Sequence, residues 1–175
     1  MPFIQGEQNV TAGSAYAAYR AAVAKLQDDV TAYAQGATGQ TAPVYFLIYQ
    51  TTWGIRVNKN VALAQLDLCK KDPHFVMTSP CYHLEFAADF LHLKNIGYMK
   101  LSRYQGRVLK TMALDKKRPK FVTMKAATVR GSQLSIRYDV PVFPLVLDTV
   151  GLALTTDYGF KVQDVGGDVA ISNIT

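Results

Sequence analysis

The chain has 175 residues, 49% of them hydrophobic and 18% charged, with a net charge of +6. That apolar share is ordinary for a globular domain and excludes a disordered or low-complexity chain. The longest uncharged apolar run, Pro43 to Tyr49, is far shorter than the ~20 residues a membrane-crossing helix needs. A chain of this length can build one good core with a small satellite.

Taken in order, Met1 to Gly6 has neither the basic nor the apolar region of a signal peptide, and residues 2–5 read as the end of a strand. Thr11 or Ser14 can cap the helix that follows. Tyr16, Tyr19, Val23, Leu26, Val30 and Tyr33 recur at spacings of three and four, which is one helical face, and Gly36 and Gly39 close it. The apolar run 43–49 reads as a strand buried on both faces. Asn58 to Lys71 reads as a second helix with Val61, Ala64 and Leu68 inward. His74 to Thr78 reads as a third strand and Pro80 to His92 as a loop. Asn95 heads a third helix with Leu101, Tyr104, Val108 and Met112 inward. This alternation predicts an α/β layer with a parallel sheet and helices on its faces.

The pattern changes at Asp115–Pro119. Short strand-like runs follow at 120–124, 134–138, 142–147, 160–162 and 169–171, separated by turn signals at 130–132, Asp139, Gly151 and 166–167. They predict a small antiparallel β unit. Both ends of the chain lie in strand-like segments. The expectation is therefore a portion of a longer protein, an intact small protein being the alternative.

Charge is uneven along the chain. Residues 1–93 hold six Lys/Arg against seven acids, and 94–137 hold twelve against Asp115 alone. Residues 138–175 hold Lys161 against five acids. A basic band invites a nucleic-acid reading. No RNA-recognition signature, zinc finger or helix-turn-helix accompanies it, and it straddles a helix and a strand region, which argues against that reading. An anionic glycan or a solvated face fits better. Cys69 and Cys81 lack the spacing of a zinc or redox motif. Two free thiols are the expectation, a disulfide the alternative.

Two short segments can carry chemistry. In Asp89-Phe-Leu-His92 the acid can bond the imidazole Nδ1–H, fixing the tautomer and leaving Nε2 as a base. In Gln5-Gly6-Glu7, at a strand end, the Gln amide can donate to an oxyanion. Gly6 can turn the backbone, and Glu7 can hold neighbouring loops by accepting backbone hydrogen bonds. A packed His and an ordinary strand-to-helix turn are the plainer readings.

Together the segments are more specific. Gln-Gly-Glu after a strand, a Tyr-bearing helix, an apolar strand and a late D-x-x-H-L-x-x-x-G-Y resemble the SGNH hydrolase superfamily, and within it the sialate O-acetylesterase-like carbohydrate esterases. The resemblance runs over residues 2–112. Val140 to Asp148 and Asp157 to Phe160 resemble, less specifically, the β appendage of some such esterases. The resemblance implies a three-layer SGNH/flavodoxin-like parallel sheet with helices on both faces, present in part, followed by a small antiparallel β unit. It implies that residues 1–114 are the C-terminal part of an SGNH-type esterase domain and 115–175 an incomplete β-rich appendage. His92 is then the base, Asp89 its orienting acid, and Gln5 an oxyanion donor with Gly6 and Glu7 beside it.

Two positions depart from the family pattern. Asn9 stands where the family often has an Asp. The family's Gly-x-Ser nucleophile block is not found before Gln5, and Ser14, Ser79 and Ser132 lie in the wrong blocks.

The implied reaction removes O-acetyl groups from an acetylated carbohydrate with no cofactor or metal. The implied partner is the missing N-terminal part of the same domain or a second copy. The competing expectation is a non-catalytic glycan-binding or structural module, such as part of a surface or virion attachment protein. His74, His83, Cys81 and Glu85 can be drawn as a metal site, but their spacing fits no known signature. Tyr49 and Trp53 can stack on a sugar ring or pack in the core.

Overall fold

The computed structural model describes residues 1–52, 54, 55, 58–146, 160–172 and 174. They fall into two compact units, Met1–Lys120 and Phe121–Thr175.

In the first unit the apolar run becomes the middle strand of a three-stranded parallel sheet. β1 (Pro2–Phe3) and β3 (Phe75–Pro80) flank β2 (Phe46–Gln50) in the order β1-β2-β3. The Phe46 ring lies 5.1 Å from that of Phe3 and 5.6 Å from that of Phe75, so aromatic contacts run across all three strands. Strand alternation divides the residues between two faces. Leu47 and Val76 pack against Val108 and Met112 of a helix that runs from Asn95 to Ala113. On the other face, the Gln50 amide donates to the Ala62 carbonyl at 2.9 Å, within a helix spanning Asn60–Lys71. A long helix, Tyr16–Thr38, lies beside that one, and Arg20 bonds Asp67 between them at 2.8 Å. The sheet is thus flanked by helices, and the chain is mixed α/β.

A short helix precedes these and was not legible in the sequence. It is α1 (Glu7–Thr11), and in chain order the others are α2 (16–38), α3 (60–71) and α4 (95–113). Neither Thr11 nor Ser14 caps α2. Ala15 holds the cap position without a side-chain bond, Thr11 donates back to the Glu7 carbonyl, and Ser14 Oγ accepts from Asn9. Gly36 lies inside α2, and Gly39, at φ 72°, closes it. The buried face of α2 is Tyr19, Val23 and Gln27, while Leu26 and Tyr33 are exposed. Gln27 is tolerated because its amide donates to Thr31 Oγ1 and the Val44 carbonyl, both at 2.8 Å. Asn95 opens α4 without capping it. Cys69 and Cys81 are both buried and free. The segment after α4 stays on the first unit because Arg118 donates to the carbonyls of Pro73, Cys69 and Phe75.

The second unit holds two antiparallel hairpins. β4 (Thr123–Arg130) pairs with β5 (Gln133–Asp139) across Gly131, at φ 59°. β6 (Val162–Asp164) pairs with β7 (Gly167–Val169), where Asp164 Oδ1 accepts the Gly166 N–H at 2.7 Å. The strand expected at 142–147 does not pair over 142–146. Leu147, Asp148 and 157–159, part of the appendage resemblance, lie outside the described residues, as does Gly151. None of this unit's described residues is buried.

Candidate active site

Gln5 follows β1, and Gly6 turns the chain into α1 at φ 147°. A Cβ on Gly6 would lie 2.8 Å from Gln65 Nε2 and 3.1 Å from Val61 Cγ1, so both conformation and space demand glycine here. Gln65 of α3, fully buried, fixes the surroundings. Its Oε1 accepts the Thr51 N–H at 2.8 Å, and its Nε2 donates to the Gln5 carbonyl at 2.8 Å and to Tyr19 Oη at 3.2 Å. The backbone groups thereby set the direction of the chain of bonds. Tyr19 must donate onward to Gln5 Oε1, at 2.9 Å, and the Gln5 amide nitrogen donates to Asn9 Oδ1. Burial pushes Tyr19 up to about 12, so it remains a neutral donor.

Glu7 accepts from the hydroxyls of Tyr49 and Thr51, the latter at 3.0 Å. It therefore holds the end of β2 through side-chain hydroxyls, where the sequence suggested backbone N–H groups. Burial, and then the Glu7 carboxylate, hold the Tyr49 phenol far above its usual value. Tyr49 is thus an anchored core residue, 2% exposed, and Trp53 lies outside the described residues.

The loop after β3 presents the second segment. A bridge pairs Phe86 with Leu93, and the Ala87 N–H donates to the His92 carbonyl at 2.7 Å. Inside this hairpin-like loop Phe90 adopts φ 55°. Asp89 Oδ1 accepts the N–H groups of Leu91 and His92, both at 3.0 Å, and Oδ2 takes His92 Nδ1 at 2.7 Å. The His92 hydrogen bond and then those two backbone donors hold Asp89 at about 2. An ionised carboxylate only accepts, so Nδ1 carries the proton. Nε2 has no hydrogen-bond partner among the described residues. Gly97 supports the loop from below. A Cβ there would stand 2.6 Å from the Glu85 carbonyl and 3.1 Å from Leu93 Cβ.

The two segments meet. Gln5, Gly6, Glu7 and His92 line one cleft of about 340 Å³, with Phe86, Leu91, Leu93 and Leu101 giving it an apolar side. Asp89 reaches it through His92. No family model, curated protein or solved structure matches the chain.

No serine lines the cleft among the described residues. Ser79 is buried and bonded to the Pro80 carbonyl at 2.7 Å, and Ser14 is held by Asn9. Cys81 does line it, but burial and then Glu7 push its thiol up to about 12, which leaves almost no thiolate. No group of three or more metal-ligating side chains occurs among the described residues. His74 instead contacts Asp72 and the Tyr45 ring, and His83 bonds the Tyr104 hydroxyl at 3.1 Å. The supporting residues Asn9, Tyr19, Thr51 and Gln65 gave no motif. Gln65 carried one signal, a polar residue on the apolar face between Val61 and Leu68.

Proposed function

We propose that this cleft hydrolyses carboxylic esters of the O-acetyl class on a carbohydrate, by acyl transfer of the SGNH type. The observation that carries the reading is the convergence of Gln5 and His92 on one cleft, with Asp89 already bonded to Nδ1. His92 Nε2 takes the proton of an attacking serine hydroxyl and returns it to the leaving sugar oxygen, then takes a proton from the water that attacks the acetyl-serine and returns it to the serine oxygen as acetate leaves. Asp89 holds the imidazole and stabilises its charged form. Gln5 keeps one amide N–H beyond the one given to Asn9, and this N–H donates to the oxyanion. The reading requires a serine from a Gly-x-Ser block, and no described residue brings one to the cleft.

The test is release of acetate from p-nitrophenyl acetate and from an acetylated polysaccharide. It uses this chain joined in one polypeptide to the sequence encoded in frame upstream of Met1. Serine-dependent turnover supports the reading, and a Gly-x-Ser block without turnover contradicts it.

One observation favours a second reading, a non-catalytic glycan-binding module. The cleft holds no activated nucleophile among the described residues, its one thiol being pushed up to about 12. This reading expects sugar binding with no acetate released in any form of the protein.

A further inference from the structure

The cleft uses the inner side of α4, through Tyr98 and Leu101, and leaves the outer flank unexplained. Lys100, Arg103, Arg107 and Lys110 recur at spacings of three and four, which sets them along one side of the helix. Lys100 bonds Glu85 at 2.5 Å and Lys110 bonds Asp115 at 3.2 Å. Arg103 and Arg107 are exposed and have no carboxylate partner among the described residues. The Arg107 guanidinium lies 5.9 Å over the Tyr104 ring. Tyr104 stands 5.5 Å from His83, and His83 stands 5.3 Å from Tyr82, which is 69% exposed. This row ends on the loop that also carries His92.

We propose that this flank binds an acidic, carboxylate-bearing polysaccharide chain and leads it to the cleft. The proposal rests on the carbohydrate-esterase reading and names its substrate class. A guanidinium matches a carboxylate with two parallel hydrogen bonds, and the cation–π contact with Tyr104 helps orient Arg107 for them. Tyr82, 69% exposed, adds rigid amphipathic surface for a sugar ring. Single-stranded nucleic acid is the competing polyanion, but it stacks successive bases on open ring faces. Here successive rings stand at 71° and 80° to each other, edge against face.

The experiment measures equilibrium binding of the 175-residue chain to polygalacturonate at about 0.15 M salt. Dextran and single-stranded oligodeoxythymidylate are the comparison probes. Binding to polygalacturonate above both probes is expected. The double variant Arg103→Gln/Arg107→Gln should weaken it about tenfold or more, from the loss of two charge-assisted contacts. Arg103→Lys/Arg107→Lys, which keeps charge but not the fork, should fall between. No binding, equal or tighter binding of the oligonucleotide, or an unchanged affinity in the Gln variant overturns the proposal. Polygalacturonate carries no ester, so the two readings fail separately. Binding without acetate release in the serine-bearing form sinks the esterase alone. Acetate release without polygalacturonate binding sinks this surface alone.

Discussion

Gly6 is where single-residue demands are highest. Its φ of 147° and the 2.8 Å approach of Gln65 leave no room for a side chain. Gly6→Ala should destabilise the chain by about 2 kcal/mol or more, read as a lowered urea midpoint. Asp89 gives a pH signature. Its carboxyl titrates at about 2, below the ordinary 3.8, so its link to His92 contributes above about pH 4 and is lost as pH falls through 2. Asp89→Asn should therefore be less stable than the parent at neutral pH. The difference should vanish below about pH 2 in a pH series of unfolding midpoints. The D-x-x-H pair was legible because its members lie three residues apart and bond locally. The Glu7 contacts were not, because Tyr49 and Thr51 stand 42 and 44 residues away. Likewise, nothing local marks Tyr19 as the residue that orients Gln5, and its helical spacing shows only that it faces inward.

At the scale of elements, the join between α4 and the His92 loop carries the next prediction. In an exposed helix, replacing Gly by Ala stabilises by up to about 1 kcal/mol. At Gly97 the sign reverses, because the new Cβ would meet the Glu85 carbonyl at 2.6 Å. Gly97→Ala should destabilise by about 1–3 kcal/mol in thermal or urea unfolding. A gain in stability would show that the loop does not rest on α4. The elements of the α/β part were legible from their periods, since continuous apolar runs and spacings of three and four are direct images of burial. The face of α2 was partly misjudged. Hydrophobic spacing puts Leu26 and Tyr33 on one face with Tyr19 and Val23, whereas both are exposed and Gln27 is buried, a choice made by the Val44 carbonyl and Thr31. α1 was missed because five residues, Glu7–Thr11, following a glycine are too few to show a period.

For the whole molecule, every buried core residue among those described lies in the first unit. A chain ending at Lys120 should therefore keep a cooperative urea transition monitored by far-UV circular dichroism. Gradual, non-cooperative loss of signal would place part of the core beyond that point. The two hairpins of the second unit were foreshadowed by the turn signals at Gly131 and Gly167. Strand bounds there shifted, because with none of its described residues buried no hydrophobic face sets the register. The charge profile reads differently at this scale. The excess of residues 94–137 includes Lys100, Lys110 and Arg118, which are already engaged, and leaves Arg103 and Arg107 as the exposed cations on α4 with no carboxylate partner among the described residues.

The central claim is that His92 and Gln5 act on one ester in one cleft. Its most direct test is p-nitrophenyl acetate turnover by the serine-bearing form, comparing the parent with His92→Ala and Gln5→Ala. The account predicts that kcat falls about 10²- to 10⁴-fold without His92 and about 10²- to 10³-fold without Gln5. Turnover that survives His92→Ala at the parent rate would contradict it.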